Sequence, residues 1–318
     1  MLIALLSVVF GLTALLWSAD RFVTGASAIA SHFGLSPILV GAVIVGFGTS
    51  SPELFIATLA SLDNSPGIAV GNALGSNIAN IALILGVVAV TAPVHAIWQD
   101  IQRDAIALVG ATILVAWTLI DGELTRIEGG MLSAALVAYL GYAIRDASRE
   151  SAEANGDNAV GIEADSSGGR AWLQLFIGFG ILLISSRLLV SGAEDLARLA
   201  GLSELLIGLT IIAIGSSLPE LAASLAAAAR GRADMALGNV VGSNVFNSLA
   251  VLAVPAWLAP STLDPEVAWR DLPLSVVLTV ALLWMCSRKS HRIHSVEGGM
   301  LLLVYFGYLG YLGWQAMS

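Results

Sequence analysis

Apolar runs of about eighteen residues or more recur along the whole chain, and most of the turns between them are short. A run of that length is long enough to cross the hydrocarbon core of a bilayer as a helix. Only 12% of the 318 residues are charged and 57% are hydrophobic. A soluble protein carries about twice that charged share. The pattern predicts an all-α polytopic membrane protein with no large soluble domain left over. The first run, Leu2–Trp17, has no basic residue before it and no clear cleavage site, and is expected to be a first transmembrane helix rather than a removed signal peptide.

Ten helices are expected. Five fall at about 2–27, 37–62, 67–91, 102–120 and 126–145, and five at about 170–197, 204–229, 234–258, 271–287 and 295–316. This divides the chain into a first unit, 1–145, a polar loop, 146–169, and a second unit, 170–318. In this count Arg103, Arg145, Arg149, Arg170, Arg230, Arg232, Arg288, Lys289 and Arg292 share one side, against Arg126 and Arg270 on the other, with Arg198 nearby. The positive-inside rule makes the first side cytoplasmic, with both termini outside and the central loop inside. That loop, rich in Ala, Ser, Gly and acids, is expected to be a disordered, solvated linker, and its acids do not match a calcium loop of the EF-hand type.

The chain contains a copy of part of itself. GLSPILVGAVIVGFGTSSPEL (34–54) aligns with GLSELLIGLTIIAIGSSLPEL (201–221), and GNALGSNIAN (71–80) with GNVVGSNVFN (238–247), at one offset of 167 residues. Nineteen of the 47 ungapped positions from Gly34 to Asn80 are identical. Shared apolar composition would match scattered Leu and Ala, whereas here Gly, Pro, Glu, Ser and Asn stay in register. EGGML (128–132 and 297–301) and YLGY (139–142 and 308–311) extend the echo to the fifth helices. Five helices per half is an odd number, so the second half enters the membrane from the opposite side. Inverted repeats of this kind are a transporter signature, with the substrate site near the midplane where the halves meet.

Glu53 and Glu220 occupy matching places in that repeat, each alone in a long uncharged run. A carboxylate at the centre of a membrane helix costs about 2.5–3.5 kcal/mol on insertion scales. No basic residue is adjacent in sequence, and Arg187, the nearest intramembrane candidate, cannot serve both equally, so a mobile cation is the better counter-charge. Pro52 and Pro219 lack the N–H that would bond the carbonyls of Gly48 and Gly215, which leaves those oxygens available to an ion. Thr49, Ser50, Ser51, Ser216 and Ser217 add oxygens. Ser76 and Asn80 lie four apart on one helical face, as do Ser243 and Asn247. An all-oxygen set suits a hard cation such as Ca²⁺, and the absence of intramembrane His or Cys argues against zinc or copper. Two carboxylates can neutralise one Ca²⁺, two Na⁺ or two H⁺, and mutually exclusive occupancy of one charged site is the physical basis of antiport.

The paired motifs GTSSPE with GSNIAN, and GSSLPE with GSNVFN, resemble the two α-repeats of the calcium/cation antiporter superfamily, in its prokaryotic sodium/calcium exchanger branch. The likeness covers nearly the whole chain. It implies Ca²⁺ held by Glu53 and Glu220 with backbone oxygens of Thr49 and Ser216. It implies Na⁺ sites using Gly46, Ser50 and Ser76 from one repeat and Ala213, Ser217 and Ser243 from the other, with Asn80 and Asn247 completing the centre. It further implies that helices 1 and 6 slide together across the other eight. Two residues depart from the family pattern: Asn247 stands where many members carry aspartate, and Ser216 where threonine is usual. With no acid near Asn80 or Asn247, sodium coupling is favoured over proton coupling.

The expected function is therefore Na⁺/Ca²⁺ antiport across the plasma membrane by alternating access, without enzymatic activity or a cofactor. The alternatives are H⁺/Ca²⁺ antiport on the same fold, or a cation channel lined by acid rings. An intramembrane serine hydrolase would need a base in the polar core, and no histidine falls there. Nothing suggests nucleic-acid binding, and no obligatory protein partner is evident.

Overall fold

The computed structural model of the protein describes residues 1–33, 35–92, 94–96, 98–157, 167–201, 213–288 and 292–317. Among the described residues, nine helices are long and apolar enough to cross a membrane. They are α1 (Leu2–Phe33), α2 (Ile38–Leu62), α3 (Pro66–Thr91), α4 (Trp98–Leu119), α5 (Arg126–Asp157), α6 (Ser167–Leu199), α8 (Ala233–Leu258), α9 (Val267–Ser287) and α10 (Ser295–Met317). A shorter apolar helix, α7 (Leu218–Ala229), follows the turn Ala213–Gly215. The first half of the expected seventh helix, 202–212, lies outside the described residues.

One expectation needs correction. The segment after 145 is not all loop: α5 continues to Asp157 and α6 begins at Ser167. The stretch DASRESAEA is rich in Ala, Glu and Arg, all good helix formers, and a helix already nucleated in the membrane extends through them at little cost. Asp146, at the start of this extension, is buried and ion-paired with Arg103 at the head of α4. Residues 158–166 lie outside the described residues.

Two short strand pairs settle how the halves are related. The strands are β1 (Val94–His95), β2 (Glu123–Leu124), β3 (Ser261–Thr262) and β4 (Arg292–Ile293). β1 pairs antiparallel with β4, and β2 with β3. Each clip thus joins the α3–α4 link of one half to the α4–α5 link of the other, or its equivalent. Successive links alternate between membrane faces, so this pairing is possible only if the halves are inverted. One clip closes the face on which α1 ends, and the other the face on which α1 begins.

Glycines bring α1 and α6 into backbone contact, with the same symmetry. A Cβ on Gly11 would lie 2.7 Å from the Leu189 nitrogen, and one on Gly178 2.5 Å from that of Phe22. Likewise a Cβ on Gly25 would lie 2.7 Å from the Ala171 carbonyl oxygen, and one on Gly192 2.8 Å from that of Ala4. Each contact maps onto its partner by the 167-residue offset. Small residues of this kind are what let membrane helices approach closely, since lipid offers no hydrophobic drive to associate. The EGGML glycines act similarly: Gly298 on α10 meets the Gly86 carbonyl oxygen of α3, and Gly129 on α5 meets Ala256 of α8.

α3 and α8 form the buried centre, with more than four-fifths of an 18-residue apolar stretch of each buried within the protein. Both contain a π-helical turn at the same place, Ala79–Leu85 and Asn247–Val251. The extra residue in such a turn re-aims side chains, and π-bulges concentrate at functional sites.

Replacing Gly178 or Gly25 by alanine is expected to force α1 and α6 apart and destabilise the protein by about 1–3 kcal/mol. Thermal melting in detergent checks this, with the exposed Gly310→Ala on α10 as the silent control.

Candidate functional site

The two duplicated Pro-Glu segments break their helices alike. Ser50 has φ −80° and ψ 3°, and Ser217 φ −91° and ψ 7°, after which a new helix starts with proline in its first turn. This is the position where a helix start tolerates proline, because its missing N–H has no intrahelical partner there. Glu53 and Glu220 therefore sit in the first turn of a half-helix, at membrane depth.

The structure brings the two glutamates together in the protein interior, 0% and 1% exposed and close enough to repel each other electrostatically. Thr49, Ser50, Ser76, Asn80, Ser217, Ser243 and Asn247 are likewise buried. The Thr49 hydroxyl reaches across the repeat boundary to Asn239 Oδ1, at 3.3 Å, and also donates to the Val45 carbonyl at 3.0 Å. The close crossing of α2 and α8 makes this possible. A Cβ on Gly242 would lie 2.0 Å from the Ala42 carbonyl oxygen, and one on Gly46 2.9 Å from the Ser243 nitrogen. The Ser243 hydroxyl donates to the Gly46 carbonyl at 3.3 Å.

Amides staple α3 to α8 below the glutamates. Asn80 Nδ2 donates to Asn244 Oδ1 at 3.0 Å, and Asn77 Nδ2 to Ser248 Oγ at 3.0 Å. Among the described residues, most of the buried oxygens left without a hydrogen-bond partner belong to the two Pro-Glu segments, α3 and α8, the Tyr139 and Ser261 hydroxyls lying elsewhere. Those here include both carboxylate oxygens of Glu53 and of Glu220, the Oδ1 atoms of Asn77, Asn80 and Asn247, and the hydroxyls of Ser50 and Ser217. Native interiors leave few buried polar atoms unbonded, and each one calls for an explanation. Apart from the two hydroxyls and the equally unpaired Asn247 Nδ2, these atoms are acceptors alone, which a donor or a cation satisfies. Nowhere among the described residues do three or more His, Cys, Asp or Glu side chains gather, so neutral oxygens must complete any cation shell here.

One expectation reads differently in the structure. The freed Gly215 carbonyl accepts a long, 3.5 Å hydrogen bond from the Ser186 hydroxyl of α6 and so has a protein partner. Ser216 is half-buried on the wall of a cavity, and Ala213 begins the turn before it. Arg187 does not reach either glutamate: its guanidinium stands 5.7 Å from the Phe55 ring centroid.

Two further residues emerge only from the structure. Asn72 Nδ2 donates to the Glu53 carbonyl at 3.3 Å, and Asn239 Nδ2 to the Glu220 carbonyl at 3.4 Å. Asn239 also donates to Ser224 Oγ at 2.9 Å and accepts from the Thr49 hydroxyl at 3.3 Å. They hold the backbone of each glutamate from the adjacent helix. The available signal was their identity at matching places in the repeat, in the Gly-Asn that opens each GN–GSN motif.

A cavity of about 600 Å³ lies beside this centre, between α2, α6 and α7. Its walls include Ser51, Pro52, Phe55, Arg187, Glu194 and Ser216. The equivalent space on the other face is closed. There α1 packs along α7, whereas α6 makes no comparable packing with α2. Accordingly Val23 and Pro219 are buried, while their counterparts Val190 and Pro52 are half-buried.

An inverted-repeat membrane fold around a buried oxygen cluster, with a cavity beside it on one face and close helix packing on the other, defines a secondary transporter. A family profile described as sodium/calcium exchanger protein matches residues 3–145 and 170–314, and the chain belongs to that family. It is a multi-pass membrane antiporter of Ca²⁺ and other cations rather than an enzyme. Among its relatives, CaxA of Alkalimonas amylolytica is 43% identical over 97% of this chain and 98% of its own. Inner membrane protein YrbG of Escherichia coli is 34% identical over 99% and 98%. The sodium/calcium exchanger MaX1 of Methanosarcina acetivorans is 28% identical over 96% and 97%. The solved structure of the sodium-calcium exchanger NCX_Mj soaked with Na⁺ and Sr²⁺ superposes with a TM-score of 0.82 at 31% identity, covering 97% of this chain and 98% of that one.

Asn239→Ala removes three bonds around Glu220 and is expected to lower stability by about 1–3 kcal/mol. Asn72→Ala removes a single bond from a half-buried residue and is expected to cost less. Parallel melting of the two variants checks the order.

Proposed function

We propose that the protein exports Ca²⁺ across the plasma membrane in exchange for Na⁺, with Ca²⁺ held between Glu53 and Glu220. The observation that carries this reading is the four buried carboxylate oxygens without a protein donor. Two negative charges match one Ca²⁺, and six to eight oxygens at flexible geometry are what that ion takes. The Thr49 and Ser216 carbonyls would complete its shell. Na⁺ would occupy flanking positions, with Gly46, Ser50 and Ser76 on one side and Ala213, Ser217 and Ser243 on the other. Asn80 and Asn247 supply neutral oxygens between them.

Sodium is favoured over protons as the coupling ion because the partners around the two glutamates are hydroxyls and amides, which hold a metal ion but do not titrate. Relatives spanning nearly the full chain, MaX1 and NCX_Mj, carry sodium and calcium in their names. A site that must carry either ion set discourages an empty crossing, because moving two uncompensated charges through the membrane is costly. That penalty enforces exchange over leak. Nothing in the comparisons favours a channel. With the excess of arginines at the β1·β4 face, that face is assigned to the cytoplasm, both termini to the outside and the cavity to the extracellular route. The two five-helix units, 1–145 and 170–318, are the two halves of the transport machine.

Calcium uptake into proteoliposomes is the test, with sodium inside, with a proton gradient alone, and with neither. Uptake only with internal sodium, sensitive to membrane voltage, is the expected result. Uptake driven only by protons would replace the coupling ion. Glu53→Gln and Glu220→Gln are each expected to abolish uptake while leaving the melting curve of a folded protein. Near-normal flux in both would overturn the site.

A further inference from the structure

Asp20 on α1 pairs with Arg230 at the end of α7, with Arg230 Nε 2.7 Å from Asp20 Oδ1. The pair lies at the β1·β4 face, where α1 is packed along α7. Moving both residues by the 167-residue offset gives Arg187 on α6 and Asp63 at the end of α2. The charges are exchanged, but the complementarity is kept. The offset is structural as well as sequential here, since the glycine contacts between α1 and α6 obey it.

The second pair is not formed. Arg187 lies in the open cavity over the Phe55 ring, and Asp63 is an exposed residue just beyond α2 that makes no ion pair among the described residues. The face with the formed pair is the shut one, and the face with the separated pair is the open one. A transporter built from inverted repeats can change sides by letting each half adopt the arrangement of the other. That exchange would carry Arg187 to Asp63 as Asp20 now stands to Arg230, and would part Asp20 from Arg230.

We propose that Asp20–Arg230 and Arg187–Asp63 are alternating latches. Each ties the α1–α6 pair to the far end of a Pro-Glu half-helix, one on each membrane face, and only one is closed at a time. The inference rests on the alternating-access reading but not on which ion drives it. Each latch is a partly exposed ion pair, so its part is to balance the two facing states against each other rather than to hold the fold. Equal and opposite latches keep neither state too stable to leave. Losing one is expected to shift the ratio of states by up to about fivefold, which is about 1 kcal/mol.

Cysteine pairs test the geometry directly. Cys286 is the chain's single cysteine, so Asp20→Cys/Arg230→Cys and Asp63→Cys/Arg187→Cys are built on Cys286→Ala and oxidised in proteoliposomes with Na⁺, with Ca²⁺ and with neither. Both pairs are expected to cross-link, with opposite dependence on the ions present, and each disulfide to arrest Ca²⁺–Ca²⁺ exchange until it is reduced. Cross-linking at 20/230 but under no condition at 63/187 overturns the proposal. As a second arm, Arg187→Asp is expected to slow exchange by about threefold to fivefold, and the swapped double variant Asp63→Arg/Arg187→Asp to restore it. A double variant no faster than Arg187→Asp alone also overturns it. Ca²⁺–Ca²⁺ exchange needs neither a sodium nor a proton gradient, and cross-linking needs no transport at all. A failure of sodium coupling is therefore distinguishable from a failure of the latches.

Discussion

Two carboxylates buried against each other without a protein donor set the terms for everything around them. In a membrane interior, an uncompensated charge costs several kcal/mol, and two at close range cost more. The protein accepts this at Glu53 and Glu220 and spends its other polar contacts on holding the pair in place. Asn72 and Asn239 grip the glutamate carbonyls, Ser243 bonds Gly46, and Asn80 and Asn244 bridge α3 and α8. The framework is bonded and the carboxylate oxygens are not. A site prepared in this way has its affinity reserved for whatever positive charge enters it.

Inversion of the repeats gives that site its two-sidedness. The strand clips tie one half to the other at both faces, and α1 and α6 lock together through reciprocal glycine contacts. Yet the surroundings of that pair are unequal. α1 lies along α7 while α6 stands away from α2, which leaves a cavity beside the buried centre on one face. Chemical likeness of the two halves at the centre combined with conformational inequality is what lets one site be offered to two compartments in turn. The symmetry is broken in chemistry as well. Asn239 ties Glu220 to Ser224 and Thr49, whereas Asn72 makes one bond to Glu53. The Gly215 carbonyl is bonded from α6 by Ser186, whose counterpart on α1 is Ala19 and has no hydroxyl. The half-helix carrying Glu220 is thus held by more contacts than the one carrying Glu53.

Much of this was legible in the sequence, for a physical reason. Lipid forces each span to satisfy its own backbone, so length and hydropathy mark the helices, and a duplication with an odd helix count dictates inversion. The lone glutamates were visible because a carboxylate in such a run has no inexpensive alternative explanation. The end of α5 was missed because polarity marks the end of the membrane but not the end of a helix. Arg187 was visible as an intramembrane charge, but its neighbour could not be read from the sequence.

By itself the sequence determined the membrane-spanning helices, the inverted duplication and the oxygen chemistry of the centre, since composition and periodicity act locally along the chain. Only the tertiary structure decided which oxygens are already bonded and which remain open, that α6 rather than α1 stands off from its neighbour, and that Asp20 is paired while Arg187 is not. Those depend on how two similar halves settle against each other, and symmetry in sequence cannot say which half takes which arrangement.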